Sequence, residues 1–418
     1  MKTEEIYSWG NNFHKEVEYD LNLSKSNGVC IGNQNSYGDC FFPHSNYSYK
    51  VLNEKKPKPG LVLNPSTTIG NFINLNNRLL FGIPGKENVT IAGAIASDTH
   101  GKDNTWGGSF SKNIDSFKLR LANKDLINCS YKENREAFTA TIGGYGLTGI
   151  IEEVTFKENT IPFSFLFNKK IEKGSGFHEL LNNFSDTKLQ YWVGWINLLN
   201  KNFDWVVEKS RAIDTKQKKD IVHPPSSIGK FTLPFIGKNI LNSMSFINYM
   251  YFHLNSNNRS KIVDLQKAIF PLSLISDTRN ISPKRRILQV QFSIPLKNEL
   301  HIQELIEILI YNQTPLLCSI KRLDKSLYKE NLSFYQEGWT IAVDFSEKYF
   351  NLKSYENFLK KLINLEGKIY LAKDSLLSEK DFREMYTNFR EWEKTIKKLD
   401  PQNKFQSMMS HRLGLKKW

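Results

Sequence analysis

Over roughly the first 160 residues, apolar positions come in short runs broken by glycine, asparagine and serine. The stretches 29–31, 60–63, 89–96, 117–121 and 150–156 each hold a few apolar residues between turn formers, a pattern that predicts strands joined by loops. From about residue 161 aromatic residues become dense and two periods interleave. Residues 287–295 alternate with period 2 and predict a strand that presents Gln289 and Gln291 on one face. Residues 301–311 carry apolar side chains at helical spacing, 315–321 and 339–345 are strand-like, and 354–365 is helical again. That order predicts an antiparallel sheet covered by helices. Further on, 368–372 reads as a strand and 378–397 as one helix, with Ser378 as N-cap and Asp381 in the first turn. The expected class is α+β, with an N-terminal domain over 1–160, a second over 161–366 and a C-terminal segment over 367–418.

Composition narrows the class. A chain of 418 residues exceeds one typical core, and 40% hydrophobic with 13% aromatic residues argues for a folded protein. No apolar run reaches the ~18 residues of a membrane-spanning helix. The first residues, with Glu4 and Glu5, do not read as a secretory signal. Cys30, Cys40, Cys129 and Cys318 are scattered without a Cys-x-x-Cys pair, so neither structural zinc nor a disulfide framework is expected, and the compartment reads as reducing and cytoplasmic. The formal charge of +14, from 57 basic against 43 acidic residues, favours an anionic partner such as anionic lipid or a phosphorylated substrate. A merely lysine-rich surface accounts for it equally well. The lysines are dispersed, with small clusters at 55–58, 216–219 and 416–417, and no nucleic-acid-binding signature accompanies them.

Gly144-Tyr145-Gly146-Leu147-Thr148-Gly149 has the spacing of a dinucleotide fingerprint. The fingerprint must open a helix and be followed about 20 residues later by an acidic residue. Here the next residues alternate like a strand, and Lys169 and Lys170 stand where the acid is required. The motif therefore predicts a tight turn between strands. Two other loops carry more. Gly32 to Asp39 is small and polar, and successive backbone N–H groups in such a loop can cradle a pyrophosphate; alone it reads rather as a plain turn, because such loops are common. Gly82-Ile83-Pro84-Gly85 leads into the small-residue tract 90–96, then Ser97-Asp98-Thr99-His100-Gly101-Lys102, then Gly107-Gly108-Ser109-Phe110.

Taken in order with 146–151, these segments resemble the p-cresol-methylhydroxylase (vanillyl-alcohol-oxidase) type of FAD domain. Gln289-Val290-Gln291-Phe292, the run 338–345, Tyr370-Leu371-Ala372-Lys373-Asp374-Ser375 and the tail 400–413 extend the likeness to the decaprenylphosphoryl-ribose 2′-oxidases. The resemblance implies a two-domain fold, with FAD in the N-terminal domain and an aldonolactone-oxidase-like substrate domain over the flavin ring. It implies cofactor contacts from Gly32, Asn33, Gln34, Asn35, Ser36, Tyr37 and Gly38 in the first loop. The second segment would add Pro84, Gly85, Thr90, Gly93, Ala94, Ala96, Ser97, Asp98, Gly101 and Ser109, and the third Gly146, Gly149 and Ile150. Lys373 would be the active-site cation beside flavin and substrate, with Tyr370, Gln289, Gln291, His100 and Lys102 around it. Tyr251, Trp195 and Lys321 would touch substrate. Residues 32–39 lack the histidine that attaches FAD in many relatives, so FAD is expected to be non-covalent. The implied reaction is oxidation of a secondary hydroxyl of a sugar, foremost a polyprenyl-phosphoryl pentose at C2′. A separate NAD(P)H-dependent ketosugar reductase would complete an epimerisation, and the membrane surface would present the lipid. A soluble aldonolactone or sugar-alcohol oxidase and a flavin-free binding protein of the same fold are the competing expectations. Two departures from the family stand out: the region before Gly32 is short, and so is the stretch from Asp39 to Gly82. Residues 211–245, with His223-Pro224-Pro225, match nothing and are expected to form a flap.

Overall fold

A computed structural model of the protein describes residues 3–25, 27–49, 58–103, 105–158, 161, 163–184, 190–213, 248–255, 259–270, 286–325 and 332–417. Most of the expected flap, and the lysine clusters at 55–57 and 216–219, lie outside the described residues.

Three sheets organise the chain. The first pairs β1 (Thr3–Tyr7) antiparallel with β2 (His14–Tyr19), and β3 (Tyr47–Ser48) adds in parallel. The second has β4 (Val62–Leu63), β5 (Ile114–Arg120), β6 (Leu126–Ser130) and β7 (Ile150–Phe156) in the order β4-β7-β5-β6. The third is large and antiparallel. It contains β8 (Leu166–Ser175), β9 (Gln190–Ile196), β10 (Asp204–Ala212), β11 (Arg259–Asp264), β12 (Ile287–Pro295), β13 (Pro315–Leu323), β14 (Gly338–Ser346) and β15 (Lys368–Ile369). Their order is β11-β8-β10-β9-β13-β14-β12-β15.

Strand alternation in the large sheet separates packing from chemistry. Val290, Phe292 and Ile294 of β12, Ile320 of β13, and Ile341 and Val343 of β14 join one hydrophobic cluster with the helices Ile302–Ile310 and Leu352–Asn364. These helices supply Leu305, Ile306, Leu309, Phe358 and Leu362, all fully buried. The odd positions of β12 and β13, and the even ones of β14, project from the opposite face. They include Gln289, Gln291, Ser319, Lys321, Thr340 and Ala342, and all six line a cavity.

The structure corrects four local expectations. Residues 89–96 are not a strand: Ile91–Ala96 is a helix, with the Thr90 side chain accepting from Gly93 N at 3.1 Å. A short apolar run cannot declare its period. The glycine-rich turn at 143–149 follows the helix Arg135–Thr141 rather than a strand. Residues 378–397 form two helices, Glu379–Met385 and Phe389–Leu399. The break lets Tyr386 donate to Ile369 O at 2.7 Å while the Trp392 indole donates to Ala140 O at 3.0 Å. Finally, β15 stops at Ile369, and Tyr370–Lys373 is a turn closed by Lys373 N donating to Tyr370 O at 2.9 Å.

The segment 404–408 packs against the segment that carries the first loop. Gly28 N donates to Lys404 O and Gln406 N to Gly28 O, at 3.2 and 2.8 Å, and Met408 N reaches Phe42 O at 2.8 Å. Among the described residues no helix is long and apolar enough to cross a membrane.

Candidate active site

A cavity of about 790 Å³ lies where the first loop, the segment 84–100, the turn 145–151 and the polar face of β12–β14 converge. That volume is in the range of small-molecule and cofactor sites. Gly32 is close-packed there: a Cβ would stand 2.8 Å from Thr90 Oγ1, so the loop lies against the start of the next helix only without a side chain.

One wall is a hydrogen-bonded network. Gln291 Nε2 lies 2.8 Å from His100 Nε2 and 3.0 Å from Thr340 Oγ1. The His100 ring packs 5.4 Å from Tyr370 and 5.7 Å from Phe334, and Tyr370 donates to Ser97 O at 2.9 Å. Burial, then the charges of Lys321 and Lys373, holds His100 well below its ordinary pKa, so it is neutral at physiological pH. Nearby, Gln289 Nε2 donates to Asp344 Oδ1 at 2.7 Å, and Lys373 Nζ stands 4.4 Å from the Tyr37 ring centroid.

Two lysines face this wall. Burial lowers Lys373 to about 8, with Asp344 pulling the other way. Burial and the charge of Lys373 lower Lys321 likewise to about 8. Burial raises Asp344 to about 6 against the opposing effects of Gln289 and Lys373. The site therefore concentrates cations that give up their protons near pH 8.

Most residues singled out in the sequence line this cavity: Lys373, Tyr370, His100, Gln289, Gln291, Lys321, the loop from Gly32 to Tyr37, Pro84, Gly85, Thr90, Gly93, Ala96, Ser97, Gly146 and Gly149. Others do not, for identifiable reasons. Gly38 is needed for backbone packing, since a Cβ would fall 1.8 Å from Asp374 O. Ala94 is core. Asp98 accepts from Ser333 Oγ at 2.6 Å and Ser111 N at 3.2 Å, and Ser109 pairs with Ser111. Gly101 abuts the Asp103 carboxylate and the Ile83 backbone. Ile150 is buried in another cluster, and Ile151 faces the cavity in its place. Lys102 donates to Ala268 O at 2.9 Å and lies 3.7 Å from Glu208. Glu208 also binds Lys169 at 2.6 Å and accepts from Tyr251 at 3.0 Å. Trp195 meets Tyr251 edge-on at 5.1 Å and is opposite Ser319 across β9 and β13. Trp195 and Tyr251 thus adjoin the cavity on its sheet face without lining it.

Sequence reasoning missed Asn64, Pro65, Ser66, Thr67 and Thr68, which line the cavity in the stretch it took as abbreviated. The signal was present. Asn64 Oδ1 accepts from Ser66 N at 2.9 Å, and Thr68 caps the helix Ile69–Asn76, which is the turn-and-cap chemistry that Asn-Pro-Ser-Thr-Thr encodes. Thr340 and Tyr145 also line the cavity unanticipated.

Residues 303–413, which span β13, β14, the helix Leu352–Asn364 and the Lys373 turn, match the family model of D-arabinono-1,4-lactone oxidase. With the relatives that follow, this makes the chain an oxidoreductase acting on CH–OH groups. It is similar to decaprenylphosphoryl-β-D-ribose oxidase of Mycolicibacterium smegmatis, with 27% identity over 356 residues, 80% of this chain and 75% of that one. It is also similar to D-arabinono-1,4-lactone oxidase of Candida albicans, with 28% identity over 145 residues, 34% of this chain and 25% of that one. A putative D-arabinono-1,4-lactone oxidase of Neurospora crassa is 28% identical over 129 residues, 30% of this chain and 23% of the relative.

Proposed function

We propose that the protein is a FAD-dependent oxidoreductase of the p-cresol-methylhydroxylase type that oxidises a secondary hydroxyl of a lipid-linked phosphosugar, a polyprenyl-phosphoryl pentose at C2′. One observation carries the reading: glycine-rich backbone and a Lys373–His100–Gln291 constellation share one cavity.

The residues present fit such a cofactor. Asn35 Oδ1 and Tyr145 Oη are buried in residues of the cavity wall and have no hydrogen-bond partner among the described residues. Gly32 and Gly93 both pack against Thr90 Oγ1, where a Cβ would clash, so the two backbone segments that wall the cavity meet without side chains. Residues 32 to 36 would hold the pyrophosphate through backbone N–H groups, and residues 96–100 with Lys373 would border the ring. Bound there, flavin supplies the hydride acceptor. Everything else falls to the protein. Lys373 and Lys321 attract the anionic substrate and stabilise negative charge that develops beside the ring. Gln291 Nε2 donates to both His100 Nε2 and Thr340 Oγ1, which fixes the neutral imidazole in the polar wall that the substrate hydroxyl would face. With no histidine between residues 32 and 39, the cofactor is held without a covalent bond. The basic balance of +14 suits a phosphorylated lipid at a membrane surface, and the keto product requires a nicotinamide-dependent reductase to complete an epimerisation.

The family match over 303–413 favours a second reading, oxidation of a free aldonolactone. Visible absorption before and after acid precipitation, then turnover of polyprenyl-phosphoryl pentose against free aldonolactones with an artificial electron acceptor, separates them. Flavin bands released to the supernatant with turnover of the lipid-linked sugar are expected. Turnover of lactones alone moves the assignment to the second reading, and a colourless protein that takes up no FAD rejects both.

A further inference from the structure

The hairpin β1–β2 lies far in sequence from Lys373, yet its Glu4, Trp9 and Tyr19 line the cavity. It runs alongside the first loop. Trp9 N donates to Ser36 O and Tyr7 N to Gln34 Oε1, both at 2.8 Å. Its turn is fastened to the large sheet, where Ile287 N donates to Gly10 O and Asn12 Nδ2 to Ile287 O, again at 2.8 Å.

These contacts fix which end of the hairpin covers which end of the cavity. Trp9 belongs to the reactive end: its indole bonds Tyr37, whose ring lies 4.4 Å from Lys373 Nζ. Glu4 lies toward the other end of β1, three residues before its last residue Tyr7, about 10 Å along an extended strand. Tyr19 bonds the Glu4 carboxylate through its hydroxyl, so the two side chains form one unit at the remote end. Cys30 and Ile31, which lead into the first loop, line the cavity with them.

An extended dinucleotide can be laid along such a cavity. The ring must reach Lys373 and His100 for any chemistry, the pyrophosphate follows the loop, and the base falls under Glu4 and Tyr19. We propose that the Glu4–Tyr19 pair recognises the adenosine end of the cofactor, an inference that rests on the flavin reading above. A carboxylate is an acceptor with about four lone-pair sites, so Glu4 holds the Tyr19 hydroxyl and also accepts from an exocyclic amino group. The Tyr19 ring offers a face for stacking, and Ile151 supplies apolar contact within the same cavity. A carboxylate also disfavours an anion at this end, which selects a base over a terminal phosphate.

The test is titration of the flavin-stripped full chain with FAD and with FMN, followed by flavin fluorescence, for the wild type, Glu4→Gln and Tyr19→Leu. FMN has the ring and one phosphate but no adenosine. The wild type should prefer FAD over FMN by about a hundredfold, and each variant should lose about tenfold or more in FAD affinity with FMN affinity unchanged. FAD affinity unchanged in both variants, or FAD and FMN weakened alike, would overturn the assignment while leaving the flavin reading intact. A wild type that binds neither flavin would remove the flavin reading, and this proposal with it.

Discussion

Lys373 concentrates the electrostatics of the site in one residue. Burial brings it to about 8, so its ammonium is mostly present at pH 7 and is lost as pH rises through that value. If the cation serves catalysis, kcat/KM should fall on the alkaline side with an apparent pKa near 8, and Lys373→Met should cost at least about a hundredfold by removing the charge. Lys373→Arg separates charge from titration, because guanidinium does not lose its proton in this range. Its residual activity should be independent of pH across the same interval. An unchanged alkaline limb in that variant would transfer the titration to Lys321, which is lowered to the same value.

At the scale of elements, the helix Ile91–Ala96 is the piece whose local chemistry the site most needs. It has six residues and a single side-chain cap, Thr90, and the same Oγ1 lies against Gly32 and Gly93. Thr90→Ala should cost about 1 kcal/mol in urea unfolding and accelerate flavin loss on dilution. A variant with wild-type stability and retention would show that the cap is dispensable. This helix also marks where the sequence stops being legible. Strands β12 and β14 could be read because each has two chemically different faces, and Gln289 and Gln291 declared theirs. Residues 89–96 are apolar or small throughout, and only the cap residue distinguishes a buried helix from a strand. The split at Tyr386 depends on partners, Ile369 and Ala140, far away along the chain. Likewise Lys102, Tyr251 and Trp195 were placed by resemblance, and whether Lys102 turns to Ala268 and Glu208 or to the cavity is decided by tertiary contacts.

For the whole molecule, the question is what keeps a first loop and a reactive turn, more than three hundred residues apart, in register. The C-terminal tail does so through Arg412. Its guanidinium donates to both carboxylate oxygens of Asp39, at 2.9 and 2.8 Å, reaches Asp374 Oδ2 at 3.0 Å, and donates to Leu377 O at 2.6 Å. Asp39 follows Tyr37 and Gly38, Asp374 follows Lys373, and the two backbones already touch at Gly38. Both carboxylates are almost fully buried, and each opposes ionisation of the other unless a cation lies between them. Arg412→Met strands both charges, and a broken buried pair costs about 3–5 kcal/mol. Adding Asp39→Asn removes one stranded charge and should restore part of that loss, measured as the urea midpoint of the double variant against the single. The restoration should extend to the pH profile governed by Lys373, because relief of the repulsion between the two carboxylates lets the close-packed backbones at Gly38 and Asp374, which flank Tyr37 and Lys373, stay together. If the double variant is no more stable than Arg412→Met, the two loops are held by apolar packing of Phe405, Met409 and Leu413, all fully buried, and the ion triad is incidental to the register.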